Sequence, residues 1–114
     1  MKREFIDYVQ DILDAIDKIA EFTSGITFEQ FSKDEKTLFA TIRAFEIIGE
    51  AASKLPPELK SHHDIPWQDV IGIRNKLIHE YFGVDVEVVW KTIKEDLPKL
   101  KPAVIQILEE IKEN

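Results

Sequence analysis

Apolar residues recur at three- and four-residue steps along nearly the whole chain, and this constrains the fold more than any other feature. Phe5, Ile6, Val9, Ile12, Leu13, Ile16, Ile19 and Ala20 make one stripe. That spacing returns to the same side of a 3.6-residue helix, so it predicts an amphipathic helix over about 2–22. Asp7, Asp11, Asp14, Asp17 and Lys18 fall outside the stripe, and Thr23-Ser24-Gly25 ends it, with Gly25 suited to a left-handed cap. Thr27-Phe28-Glu29-Gln30-Phe31 reads as a short helical turn. Nowhere does strand-like alternation or a Gly/Ser linker interrupt the pattern.

A second helix is expected over about 34–55, with N-caps offered by Ser32-Lys33-Asp34-Glu35, among them a Ser32/Glu35 capping box. Its stripe is Leu38, Ile42, Phe45, Ile48, Ala52 and Leu55, with Phe39 and Ala51 beside it, and Pro56-Pro57 stops it. Arg43, Glu46, Glu50 and Lys54 form a charged line at helical spacing. This line reads as a solvated face with ion pairs along the helix. The sharper reading is that Arg43 and Glu46 approach the third helix and orient its polar groups. Residues 57–63 suggest a short helix or turn. Pro66 fits the first turn of a third helix, whose apolar side is Trp67, Val70, Ile71, Leu77 and Ile78. Asp85 is a plausible N-cap for the last helical segment. Val86, Val89, Trp90, Ile93, Leu97, Leu100, Val104, Leu108 and Ile111 carry its stripe to the C-terminus. A kink or brief break is expected at Asp96-Leu97-Pro98. The expected fold is all-α, an antiparallel up-down bundle of four main helices in a single domain over 1–114.

The 114 residues include 22 acidic and 15 basic side chains, a net charge of -7, and no cysteine. Disulfides and thiolate metal sites are therefore impossible. The acidity counts against a general nucleic-acid coat but leaves room for a small local cationic site or a basic partner. The N-terminus has no apolar run long enough for a signal peptide or membrane span, so a soluble, cytoplasmic protein is expected. His62-His63-Asp64 is a poor metal site, because adjacent histidines point apart on a helix and no third ligand stands at a supporting spacing. No metal or cofactor is expected.

The chemistry concentrates in Arg74-Asn75-Lys76-Leu77-Ile78-His79-Glu80-Tyr81-Phe82-Gly83. An Arg neutralises phosphate oxygens, a His moves protons near neutral pH, and a Tyr supplies a hydroxyl. Arg74 lies seven residues from Trp67 and so falls on the buried side, where its charge must be paired or line a cleft. His79 is five residues from Arg74, roughly 140° around an ideal helix. Either the helix unwinds before Gly83 or a second copy of the chain completes the site. The plainer readings also stand. Arg74 could hold Glu46 or Glu50, His79 could sit at a helix C-terminus, Tyr81 could be a core aromatic, and Asn75 and Lys76 could be surface residues.

At these residues the chain resembles the HEPN superfamily through its Arg-x4-His motif. In the longer Arg-x4-His-x-Tyr form it resembles the HepT toxins of MntA–HepT toxin–antitoxin pairs. Ile42 to Ala52, Ile65-Pro66-Trp67, Ile71 to His79, Tyr81 to Asp85 and Val89-Trp90 to Pro98 are similar to the family's helices in order. The resemblance implies a homodimeric helical bundle with the two motifs facing a shared cleft. It also implies a metal-independent endoribonuclease acting on RNA. Arg74 and His79 would be the catalytic pair, with Asn75, Lys76, Arg43 and Glu46 as supporting residues. The implied partner is an MntA-like nucleotidyltransferase antitoxin of a type VII system, which transfers AMP to Tyr81 and silences the toxin. The alternative is a non-catalytic helical subunit that binds nucleotide or a partner, with the motif holding a dimer together.

Overall fold

The computed structural model describes residues 3–61, 65, 67–72 and 85–113. They are helical and turn residues, with no strand among them, so the chain is all-α. Helix α1 spans Arg3–Thr23, α2 Phe28–Lys33, α3 Glu35–Ser53 and α4 Pro57–Lys60. Residues 67–72 are helical and are called α5. Helix α6 spans Val86–Lys91, a π-helical turn covers Thr92–Asp96, and α7 runs over Leu97–Glu113.

Helix α1 is the central element and packs against both α3 and α7. Its core side is Val9, Ile12, Leu13, Ile16 and Ile19, all buried, with Phe5 and Ile6 partly covered. Ala20, at the edge of the expected stripe, is exposed. Burying these branched side chains contributes about 1.5–3 kcal/mol each before chain entropy is counted. The helix ends as expected. Gly25 takes φ 74°, open to glycine but costly for other residues. Buried Thr23 donates its hydroxyl to the Ile19 carbonyl at 2.8 Å.

Thr27 and Asp34 start α2 and α3 from within the expected cap residues, but the capping box is not the Ser32/Glu35 pair. The capping box belongs to α2, where the Thr27 side chain accepts from the Gln30 amide and Gln30 Oε1 accepts from the Thr27 amide. Asp34, not Ser32, caps α3, accepting from the Thr37 amide at 3.1 Å and the Thr37 hydroxyl at 2.6 Å. Ser32 lies inside α2 and donates to the Glu29 carbonyl. A helix already running there leaves Ser32 no free amides to cap.

The buried side of α3 is Thr41, Ala44, Phe45, Ile48, Ala51 and Ala52. Leu38 and Ile42 are only partly covered, and Phe39 is 59% exposed. The helix is thus turned so that small residues meet α1 while Phe39 stands outside. The two helices run antiparallel, since Lys54 Nζ lies 5.3 Å from the Tyr8 ring centroid while Phe22 and Ala40 border the opposite end of the same furrow.

The C-terminal stripe holds through Val89, Ile93, Leu97, Leu100, Val104, Ile107 and Ile111, all buried. Asp85 caps α6, accepting from the amides of Glu87 and Val88. Of the kink or brief break expected at Asp96-Leu97-Pro98, the break does not occur, and helix continues from Leu97 through Pro102. The distortion comes earlier, as the π-helical turn, with the Leu97 amide donating to the Thr92 carbonyl. Pro98 has no N–H and its ring would strike the Lys94 carbonyl in a regular helix, so the wider turn relieves both problems.

Candidate functional site

Arg74, Asn75, Lys76, His79 and Tyr81 lie outside the described residues, as do Leu77, Ile78, Gly83, Pro66 and the His62-His63-Asp64 run. Their flanks are described. Trp67 and Val70 are buried in the common core and Ile71 packs against it. The Trp67 amide donates to the Ile65 carbonyl at 2.8 Å. The chain returns at Asp85, whose cap fixes the start of α6. The described residues on either side of the motif are thus a buried tryptophan and a capped helix.

These two flanks border one groove of about 500 Å³, with Gln68, Asp69 and Gly72 from α5 and Val88, Lys91, Thr92, Glu95 and Asp96 from α6 and the π-helical turn. The wide turn brings Thr92, Glu95 and Asp96 to this groove. Its lining is acidic, with Asp69, Glu95 and Asp96 against Lys91, and Lys91 Nζ already lies 4.0 Å from Glu95. Among the described residues these walls carry more acid than base, which disfavours an anion against them.

The sequence does not single out the aromatic cluster beside it. Trp90 packs its ring 5.1 Å from buried Phe31 and 6.0 Å from Phe28, and Lys94 Nζ covers the ring at 4.5 Å. The four-residue step from Trp90 to Lys94 was the available signal. This cation–π contact joins the π-helical turn to α6, while the Phe28 and Phe31 rings tie Trp90 to α2.

Arg43 and Glu46 pair with each other at 3.6 Å on the outside of α3, with side chains 64% and 31% exposed. Lys54 and Glu50 pair at 3.7 Å one turn further on. This is the geometry of a solvated face. Among the described residues no group of three His, Asp or Glu side chains could hold a metal ion, and no helix is long and apolar enough to cross a membrane.

The model of the Ribonuclease HepT-like family matches residues 12–107, which include the motif and both of its flanks. A relative named "Probable ribonuclease HepT", from Thermococcus cleftensis, is 57% identical over 102 residues, covering 89% of this chain and 93% of its own. Relatives with provisional RNase names are 42% identical in Caldanaerobacter subterraneus subsp. tengcongensis and 39% identical in Methanocaldococcus jannaschii. The alignments cover 92% and 90% of this chain and 95% of each relative. No solved structure matches the chain. With a family model matched over most of its length and a relative of this similarity, the chain belongs to the HepT-like ribonuclease family.

Proposed function

We propose that the chain is a single-domain, cytoplasmic endoribonuclease, the toxin of a type VII toxin–antitoxin pair, working as a homodimer. The observation that carries this reading is the family match over 12–107, which spans Arg74-x4-His79-x-Tyr81. In the proposed reaction the 2′-hydroxyl of RNA attacks the adjacent phosphorus. His79 of one subunit takes the 2′ proton, and the partner's His79 donates one to the leaving 5′ oxygen. An imidazole with a pKa near about 6.5 suits both tasks. Arg74 stabilises charge on the phosphate as it develops. Asn75 and Lys76 touch the neighbouring substrate. No step is routed through Arg43 or Glu46, which pair with each other on α3. The products are a 2′,3′-cyclic phosphate and a 5′-hydroxyl.

Silencing acts at Tyr81. Its phenol oxygen attacks the α-phosphorus of ATP in the antitoxin, an O–P bond forms, pyrophosphate leaves and the phenol proton passes to solvent. The added phosphate then competes for the donors that bind substrate phosphate.

The test is RNase assay and intact mass on purified protein, alone and after incubation with a neighbouring nucleotidyltransferase and ATP. Wild type is compared with His79→Ala and Tyr81→Phe. Cleavage that needs His79 and disappears as Tyr81 gains AMP is expected. Absence of His79-dependent cleavage together with an unmodified Tyr81 overturns the reading in favour of a non-catalytic subunit.

A further inference from the structure

The groove between α5 and the π-helical turn borders both flanks of the motif. Gly72 precedes Arg74 by two residues, and two residues of chain reach at most roughly 7 Å, so the motif begins close to this groove. The groove also holds a glycine without a local reason. Gly72 is helical, its φ is outside the positive range that favours glycine, and a Cβ there would meet no atom within 4 Å among the described residues. A helical position gains stability from alanine over glycine, so neither backbone angle nor described packing accounts for the missing side chain. Its effect is to leave the backbone of α5 bare inside the groove. Val88 on α6 lines the same space and stands 38% exposed.

The charged side chains of its walls, counted together, select the sign of an occupant. Asp69, Glu95 and Asp96 stand against a single base, Lys91. Lys91 lies 4.0 Å from Glu95, an exposed pair that contributes little and that another cation can share. Asp69 and Asp96 have no hydrogen bond or ion pair among the described residues, and Asp96 is half-buried. The next base along, Lys94, is held over the Trp90 ring. An RNA backbone brings the wrong sign. Among the described residues no group of three ligands suits a metal ion. A second copy is a poor source of cations, since the chain carries a net charge of -7. What matches both the carboxylates and the apolar wall is a positive charge on an apolar stem, as lysine and arginine side chains carry.

We infer that this groove seats a basic, partly apolar segment of a protein partner, with its lysine or arginine side chains on Asp69 and Asp96 and its backbone against Gly72. The charge complementarity fixes which segments dock, and the bare glycine admits a close approach. The consequence for activity rests on the ribonuclease reading above: a segment seated there crowds the approach of RNA to the motif and so restrains cleavage.

The test uses the full chain and a fluorescein-labelled peptide of arginine, leucine and glycine, with binding read by anisotropy at physiological salt. Asp69→Lys combined with Asp96→Lys should weaken binding at least about tenfold. Asp7→Lys combined with Asp11→Lys on α1 changes the net charge equally and should weaken it less than about twofold. Gly72→Leu fills the groove without changing charge and should also weaken binding. Circular dichroism checks that each variant stays helical, and Gly72→Leu decides if the groove double variant unfolds. A wild type that does not bind, or equal losses in the two double variants, overturns the inference. Displacement of the label by less spermidine than unlabelled peptide overturns it in favour of a small organic cation. A drop from two chain masses to one in the groove double variant overturns it in favour of a second copy. RNase assay separates the docking from the enzyme. The peptide should slow wild-type cleavage at concentrations that leave the groove double variant unaffected. His79-dependent cleavage by a chain without groove-dependent binding sinks the docking and leaves the ribonuclease standing, and groove-dependent binding by a chain that cuts no RNA does the reverse.

Discussion

Lys101 Nζ lies 2.7 Å from Asp17 Oδ1, joining α7 to α1 across 84 positions of sequence. The contact is short, but the side chains are 46% and 59% exposed. Water screens such pairs, and holding two long side chains still costs entropy, so the contribution is about 0.2–1 kcal/mol. Lys101→Met should lower the unfolding free energy by less than about 1 kcal/mol in urea, and by still less at high salt. A much larger loss would show that the pair, rather than Ile16 and Leu97 in the core, holds the two helices together.

Phe31 should matter far more. It is fully buried and packs its ring against Trp90. Phe31→Ala removes that contact and leaves a cavity, costing about 3–5 kcal/mol. Denaturant midpoints measure the loss. The fluorescence of Trp90, one of two tryptophans in the chain, should shift in the folded variant as its neighbour disappears. A loss below about 1 kcal/mol would mean that α2 is peripheral to the fold, against its full burial of Phe31.

The all-helical class was legible because burial follows periodicity directly. The α1 stripe reads almost residue for residue from Val9 to Ile19. Local competition was harder to read. Ser32, Asp34 and Thr27 are all good caps in isolation, and only the actual start of α2 decides that Thr27 and Asp34 serve while Ser32 is interior. The prolines announce a distortion but not its form, because a π-helical turn upstream satisfies the same constraint as a break at Pro98. Phe39 was misplaced because periodicity gives a helix's apolar side only to within a residue, and α3 turns Thr41 and Ala44 inward instead. The groove beside the motif joins residues from α5 and the π-helical turn, far apart in sequence, so no local pattern announces it. The motif's Arg74, His79 and Tyr81 lie outside the described residues, so its chemistry rests on residue type and spacing.

Asp34 links stability to pH. Its hydrogen bond from the Thr37 side chain, then that from the Thr37 amide, holds its carboxyl below the usual 3.8. A group with a lowered folded pKa contributes stability that is fully present above its unfolded value and is lost as pH falls through the folded one. The thermal midpoint of wild type should therefore exceed that of Asp34→Asn by a constant margin at neutral pH. The margin should shrink only below the usual 3.8 as the carboxyl protonates. A margin that already declines near neutrality would mean that some other group carries the dependence.

The proposed reaction makes the substrate's own 2′-hydroxyl the nucleophile, and this gives a sharp chemical expectation. An RNA with one 2′-deoxy nucleotide at the scissile position should bind but remain uncut there, while neighbouring sites are cleaved as before. His79→Ala should slow cleavage by about 10²–10⁴-fold, the usual range for losing a general acid–base group. Arg74→Ala should slow it by about 10²–10³-fold, as expected when a donor to developing charge is lost. Arg74→Lys should recover only part of that, because an ammonium cannot contact two phosphate oxygens in the fixed geometry of a guanidinium. The rate should follow a bell-shaped pH profile if the two imidazoles of a dimer share the work, one neutral and one protonated. Mass spectrometry of the fragments checks the route, since attack by the 2′-oxygen leaves a cyclic phosphate. Cleavage at the 2′-deoxy position, or products with a 5′-phosphate, would require water as the nucleophile and would remove His79 from the role of 2′-hydroxyl base.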